Sequence, residues 1–419
     1  MSTFKGLFEE EQLKYIAADY FEPSVRHCHA FFLSHAHTDH MAGLNASFGQ
    51  LLIENPKKKL YCSLITKELF SKLDKYCSGF DLDTLIVLDI GLPHVLSIAD
   101  KYVTVTLVPA GHCPGSVMFL FEVDDIRVLF TGDFRYDAKD IGKLKLLKNP
   151  DGTVKKIDNI YLDTTFAYEE YRDFPSRDQS LQAILTEVKN WLKKDESNVV
   201  NLELPARFAY EFVFVSIYQM LNMKVHVTPA KLDLYKNISD IIGSVTSDPI
   251  AKIHACSDHA PCVRGKTKNP LTIRLCTMLF KDSFVQNCGG GLYKNCDSSE
   301  YKIFYATHSS LNELRTFVNY LTPVTVTPFV IQPGTGVNLE ILRERVTKLP
   351  DKTTNISHRT TEESPTKKKL KLEYNNVLKL NLGSSKYLPS SESSSIISSH
   401  PKSTLSPLDI ESPPSSPDY

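Results

Sequence analysis

The chain has 419 residues, with 48 Lys and Arg against 49 Asp and Glu, 42% hydrophobic and 23% charged, an ordinary composition for a globular protein of two or three domains. No run approaches the ~18 apolar residues of a transmembrane helix. The opening Met1-Ser-Thr-Phe-Lys-Gly6 lacks the basic-then-apolar order of a secretory signal, and a formal charge of −1 excludes a globally basic nucleic-acid coat but not a local basic groove. The expected setting is a reducing one, where nine cysteines are free thiols or metal ligands rather than a disulfide framework.

Phe31-Phe32-Leu33 is a short buried-strand signal that breaks into polar residues at Ser34. The run Ser34-His-Ala-His-Thr-Asp-His40 follows at once. A strand end passing into a loop can turn these imidazoles and the carboxylate toward one point, and they are the ligands that zinc or a similar divalent ion prefers. Val103 to Leu107 alternates with period two, the mark of a half-buried strand. It leads into His112, within Pro109-Ala-Gly-His-Cys-Pro-Gly-Ser116. Val117–Val123 and Arg127–Phe130 flank Asp124-Asp125 and predict a hairpin. Asp133 ends the second of these runs, in Leu129-Phe-Thr-Gly-Asp-Phe-Arg135. Gly111 and Gly132 stand beside these two candidates and permit tight backbone there.

Ser176 with Gln179 forms a capping-box pattern, and Leu181, Ile184, Leu185, Val188 and Leu192 recur on one face, predicting a helix over 176–194. Val199–Leu204 reads as a strand, Phe208–Leu221 as a buried helix, and Lys224–Val227 and Ile303–Tyr305 as short strands. His226, His254, Cys256 and Cys262 form a second cluster, suited to a closed tetrahedral zinc site. Buried thiols beside a core histidine are the competing reading, and Cys276, Cys288, Cys296 and His259 are rival ligands. Residues 351–419 hold 16 Ser in 69 positions; such a segment buries too little apolar surface to offset the entropy of ordering, so a disordered tail is expected. Within it, Pro365-Thr-Lys-Lys-Lys-Leu-Lys371 reads as a nuclear localisation signal. Ser364, Ser406, Ser412 and Ser416 each precede Pro, as proline-directed phosphorylation sites do.

The HxHxDH run, a later His after a strand and a later Gly-Asp resemble the metallo-β-lactamase signature. Tyr161-Leu-Asp-Thr-Thr-Phe166 and Ala306-Thr-His-Ser-Ser310 are similar to the acidic and terminal-His motifs of the β-CASP nucleases. Leu60-Tyr-Cys-Ser63, Gly111-His-Cys-Pro-Gly-Ser-Val-Met-Phe-Leu-Phe121 and Thr131-Gly-Asp-Phe-Arg135 narrow the resemblance to the DNA cross-link-repair branch. The opening residues, with Val225-His-Val227 through Lys231-Leu-Asp233, fit its members that process ends at double-strand breaks. The likeness spans roughly residues 1–347.

This resemblance implies an α/β fold, a metallo-β-lactamase αββα sandwich with an inserted β-CASP α/β domain. The first part of the sandwich would be residues 1–163, the insertion 164–302, the completion 303–350 and the tail 351–419. It implies one metal held by His35, His37, His112 and Asp133, and a second held by Asp39, His40, Asp133 and His308, with Asp133 bridging. Asp163 is expected to orient a ligand His rather than to bind metal. Ser116, Ser309 and Ser310 are weaker candidates for phosphate contacts, with turn and cap roles as the alternative. The metal would be zinc, Mg or Mn, and the second cluster would be a structural zinc site in the insertion.

The implied activity is metal-dependent cleavage of DNA, trimming ends and opening hairpins or overhangs in end joining in the nucleus. A 5′ exonuclease of the cross-link-repair or telomere-protecting type and a non-catalytic repair scaffold are the alternatives. Arg26, Lys57–Lys59, Arg207, Arg264, Lys266, Lys268 and Arg274 are candidate phosphate contacts. Many relatives carry Lys where Glu203-Leu-Pro-Ala-Arg207 has Pro205, so a preference for a terminal 5′-phosphate is not implied. DNA is the expected partner of a monomer without membrane attachment. DNA-dependent protein kinase and a ligase complex enter by resemblance only, since no Gln follows a Ser or Thr anywhere in the chain.

Overall fold

A computed structural model describes residues 2–256, 270–281, 292–294, 300–332 and 334–349. The tail with its basic cluster and Ser-Pro sites lies outside the described residues, as do His259, Cys262, Arg264, Lys266, Lys268, Cys288 and Cys296.

The first sheet is parallel and has the order β1 (Ile16–Ala18), β2 (Ala30–Phe32), β3 (Lys59–Cys62), β4 (Leu85–Val87). The chain then builds most of a second sheet from β5 (Pro93–Ile98), β6 (Lys101–Pro109), β7 (Val117–Val123), β8 (Ile126–Phe130) and β9 (Asn159–Leu162). A third sheet follows from β10 (Val200–Glu203), β11 (Val225–His226), β12 (Val245–Thr246), β13 (Ile253–His254), β14 (Leu271–Cys276), β15 (Leu292–Lys294) and β16 (Glu300–Phe304). Its order is β12-β11-β13-β10-β14-β16-β15, parallel except for β15. Finally β17 (Thr325–Pro328) returns to pair with β9 and completes the second sheet as β17-β9-β8-β7-β6-β5. The third sheet is thus inserted between two strands of the second.

Period-two burial explains the layering. On β7, Phe119 and Phe121 point to one core while Met118 and Leu120 point to another. Phe119 and Phe121 meet Phe32 of the first sheet with ring centroids 5.1 and 5.0 Å apart, so the two sheets pack face to face. Outside the first sheet, helix Ala46–Glu54 sets Phe48 edge-on to Phe31 at 4.9 Å. Outside the second, helices Leu311–Leu321 and Leu339–Thr347 bury Leu314, Phe317 and Leu342. The result is a helix–sheet–sheet–helix sandwich, with a helix-covered, mostly parallel sheet inserted into it.

The expected strands appear within a residue or two of their predicted bounds, except β16, which begins at Glu300, three residues before the predicted start. Helix Arg177–Leu192 has both halves of the Ser176–Gln179 capping box. Two elements differ. The buried helix starts at Glu211 rather than Phe208, because Ala209 adopts φ +103°, which no helix accepts. Strand β16 runs through Phe304, so a division at 302/303 would cut a strand. No helix among the described residues is long and apolar enough to cross a membrane.

Candidate metal centre

Strand direction gathers the candidates. Strands β6 and β8 are both antiparallel to β7, and β9 is parallel to β8, so all three end on the same side. His112, Asp133 and Asp163 each follow one of these ends. Two glycines let the backbone turn there. A side chain at Gly111 (φ +67°) would strike the Arg135 carbonyl at 2.7 Å, and one at Gly132 (φ +50°) would strike Ser34 Oγ at 2.7 Å. The loop after β2 folds back through a hydrogen bond from His40 N–H to the His37 carbonyl, 3.1 Å. His308 arrives on the crossing from β16 to helix Leu311–Leu321.

Asp133 stands at the middle. Its Oδ2 lies 3.2 Å from His40 Nε2, 3.6 Å from His112 Nε2, 3.7 Å from His35 Nε2 and 3.9 Å from His308 Nε2. On one side, His37 Nδ1 is 3.1 Å from His35 Nε2 and 2.9 Å from His112 Nε2. On the other, Asp39 Oδ2 is 3.7 Å from His40 Nε2, with most of its side chain exposed. The seven residues expected as catalytic ligands therefore lie in one cluster around Asp133.

Four of the imidazoles are held from behind. His112 Nδ1 donates to the Thr307 carbonyl at 3.0 Å, His40 Nδ1 to Asp19 Oδ2 at 2.8 Å, and His308 Nδ1 to Asp163 Oδ2 at 2.8 Å. Ser34 Oγ donates to Asp19 Oδ2 and accepts from His35 Nδ1 at 2.9 Å. In the neutral ring each contact leaves Nε2 as a lone pair facing inward. Asp163 thus stands behind the His308 ring and contacts it through Nδ1.

The pocket fits a cation. His35 and His112 both face His37 Nδ1, while His37 Nε2 is buried with no hydrogen-bond partner among the described residues. Either tautomer of His37 leaves a buried nitrogen unsatisfied, whereas a divalent ion satisfies converging lone pairs. Burial, with neighbouring imidazoles, pushes His35 and His112 well below the usual imidazole range and brings His37 down to about 4. Burial also opposes charge on His40 and His308, but Asp133 and Asp19 carry His40 well above its ordinary value, and Asp163 with Asp133 lifts His308 to about 9. Burial opposes ionisation of Asp133, yet His40 and His308 hold it well below the carboxylate range. Asp19, Asp133 and Asp163 are all buried beside these rings, and buried acidic groups are found paired or bound to a cation.

The second cluster assembles through sheet register. Strands β11 and β13 are neighbours, with His226 opposite His254, so both side chains leave the same face. Their Nδ1 atoms are 3.1 Å apart, and Cys256 Sγ lies 3.2 Å from that of His226 and 3.9 Å from that of His254. All three are buried. Cys276, on β14, is not part of this group.

A cleft of about 590 Å³ opens from the metal loop, lined by His37, Asp39, Lys72, Lys75, Tyr76 and Arg207 among others. Of the predicted cations in the described residues, only Arg207 lines it. Lys58 donates to the Arg26 and Cys28 carbonyls, Arg26 donates to Ser47, and Arg274 pairs with Glu203. Ser116, Ser309 and Ser310 serve as turn and cap residues: Ser116 Oγ accepts from His112 and Cys113 N–H, Ser309 binds the Phe134 carbonyl, and Ser310 caps a helix. Sequence reasoning missed Asp19, which follows the buried triplet Ile16–Ala18 as Asp133 and Asp163 follow theirs. It also missed Lys72, Lys75 and the turn at Phe208.

Residues 6–182 match the metallo-beta-lactamase superfamily, and residues 239–334 match a family described as DNA repair metallo-beta-lactamase. The chain is 36% identical over 364 residues to Protein artemis of Rattus norvegicus, covering 81% of this chain and 50% of the rat protein. It is 35% identical over 371 residues to Protein artemis of Homo sapiens, covering 82% and 51%. It is 30% identical over 320 residues to 5′ exonuclease Apollo of Rattus norvegicus, covering 73% and 51%. The chain spans about half the length of these relatives.

Proposed function

The chain belongs to the metallo-β-lactamase superfamily, in its DNA-repair branch, and from that premise we propose that it is a metal-dependent nuclease that processes DNA ends, hairpins and overhangs during end joining. The observation that carries this reading is the Asp133 carboxylate, within 3.2–3.9 Å of four imidazole nitrogens, in a cluster whose members His37 and Asp39 line an open cleft.

His35, His37, His112 and Asp133 would hold one divalent ion, and Asp39, His40, Asp133 and His308 a second. Zinc suits the imidazole-rich first set, and Mg or Mn the more acidic second. Such ions supply Lewis acidity, activating water and offsetting the charge gained by a phosphate. The chain's own contribution is orientation. Asp19, Asp163, Ser34 and the Thr307 carbonyl fix the rings before substrate arrives, so little reorganisation is left for the reaction. Arg207 and Lys75 stand in the cleft where they would meet flanking phosphates. His226, His254 and Cys256 would hold a structural zinc with a fourth ligand, for which Cys262 remains the proposal. The sandwich would comprise residues 1–163 and the segment after β16, with the β-CASP insertion between them.

Nuclear location, a monomeric state and partners such as DNA-dependent protein kinase or a ligase complex belong to the reading through the family alone. The Apollo likeness favours a second reading, a 5′ exonuclease. The two separate on end-labelled DNA with purified protein and added Zn²⁺, Mg²⁺ or Mn²⁺. Cleavage of a hairpin with both ends capped supports the endonuclease. Mononucleotide release from a free 5′ end, with the capped hairpin intact, supports the exonuclease. Cleavage of neither substrate, in any metal, sinks both.

A further inference from the structure

Four of the five clustered imidazoles have a hydrogen-bond acceptor behind the ring, and His37 has none. Its ring must be oriented in another way. Phe208 lies over it, with ring centroids 6.1 Å apart and planes only 15° from parallel. Phe208 is buried and belongs to the inserted segment, whereas His37 belongs to the sandwich. The turn that carries Phe208 is strained. Ala209 sits at φ +103°, a region L residues rarely adopt.

A buried carboxylate holds that conformation. Glu211 Oε2 accepts the Ala209 N–H at 2.7 Å, and its Oε1 accepts the Tyr235 hydroxyl. Glu211 is 2% exposed and heads helix Glu211–Leu221, so the acceptor is fixed by the helix and by Tyr235. Backbone strain of this kind persists only where the surroundings over-determine it, and it gathers at functional sites.

We propose that Phe208 is a positioning residue for His37, presented by a strained turn that Glu211 locks, so that the inserted segment sets the metal affinity of the sandwich. The proposal rests on the reading of His37 as a metal ligand. The ring face stands in for the missing acceptor: it holds the His37 ring in the plane in which Nδ1 reaches His35 and His112. Removing the face frees the ring to turn, and Nδ1 then spends only part of its time aimed at the ion.

The test is a Co²⁺ titration of the full chain, followed by the visible d–d bands, with thermal unfolding measured in parallel. A thiolate charge-transfer band that Cys256→Ser abolishes reports separately on the cluster containing Cys256, since Cys113 also lies near His35, His37 and His112. Phe208→Leu keeps an apolar side chain in the same space. Glu211→Gln keeps the shape but can accept through only one oxygen, so one of the two donors is abandoned. Both are expected to weaken thiolate-free Co²⁺ binding about ten-fold, the usual effect of removing a ligand's support, and to alter its d–d bands while leaving the thiolate band unchanged. His37→Ala should weaken it further.

Phe208→Leu binding Co²⁺ with wild-type affinity and bands would overturn the proposal. If Phe208→Leu fails to fold, Glu211→Gln carries the same test with the same outcomes. Wild-type protein that shows no thiolate-free Co²⁺ bands would instead sink the metal-site reading itself, a failure visible before any variant is compared.

Discussion

Asp19 concentrates three hydrogen bonds on one buried carboxylate. Oδ1 accepts the Ser34 N–H at 2.7 Å, and Oδ2 accepts the Ser34 hydroxyl at 2.5 Å and His40 Nδ1–H at 2.8 Å. Through Ser34 it also reaches His35, so a single side chain orients one imidazole on each side of Asp133. Asp19→Asn replaces an acceptor by a donor where only donors face it, and at least one partner must go unpaired. Metal affinity should fall by about 10–100-fold, and stability by about 1–3 kcal/mol. Metal titration and denaturant unfolding check the two effects, and an unchanged affinity would show that Asp19 does not support the site. The ligand loop is legible in the sequence because three His and an Asp stand within six residues. Asp19 is not, because a single acid after the short run Ile16-Ala17-Ala18 looks like any surface Asp. Only the fold shows that its φ of +49° turns it back over Ser34. The second cluster lies between these cases. Its spacing looks irregular until β11 and β13 become neighbours, since sheet order is a non-local property.

The two chain crossings between sandwich and insertion converge on one side chain. Arg135, 2% exposed, donates to the Ala306 carbonyl at 2.9 Å and to the Pro175 carbonyl at 2.8 Å, and pairs with Glu313 at 3.2 Å. The rings of Phe174 and Phe304 flank the guanidinium at 5.6 and 5.8 Å. Pro175 lies on the outgoing crossing and Ala306 on the return, two residues before His308. Only a planar guanidinium offers enough donors in fixed directions for this arrangement. Arg135→Met should leave a buried Glu313 without its cation and cost about 3–5 kcal/mol, and Arg135→Lys should recover only part. Chemical denaturation of the two variants beside the wild type decides, and a destabilisation under about 1 kcal/mol for Met would remove Arg135 from this role. The strands and helices on either side were legible from period-two runs and a capping box. The crossings were not, since Arg135 reads locally as a charged residue after a metal motif, and its partners lie 40 and 171 positions away.

At the scale of the molecule, the charge is balanced, with 48 Lys and Arg against 49 Asp and Glu, so the proposed affinity for DNA would come from a few cations in the right place. Lys72 is tied to Asp233 by a 2.9 Å ion pair, which leaves Lys75 and Arg207 as the other Lys and Arg residues lining the cleft. Lys75 stands over the Tyr76 ring and Arg207 over the Phe208 ring, each with its charge held near an aromatic face rather than an acid. Removing one cation from the phosphates should flatten the dependence of log binding constant on log salt by about one unit. Lys75→Ala and Arg207→Ala are therefore expected to weaken binding of overhang DNA and to lower that slope by about 1 apiece. Lys57→Ala, an exposed site outside the cleft, should do neither. Fluorescence anisotropy with metal-free protein, between about 50 and 200 mM salt, measures the slopes. Because the metal is absent, a change reports on the cleft and not on metal bound at the adjoining site. Equal slopes for wild type, Lys75→Ala and Arg207→Ala would mean that neither cation meets phosphate, with Arg264, Lys266 and Lys268 among the remaining predicted contacts. The same titration on Arg264→Ala would then show a weakening that the cleft variants lack.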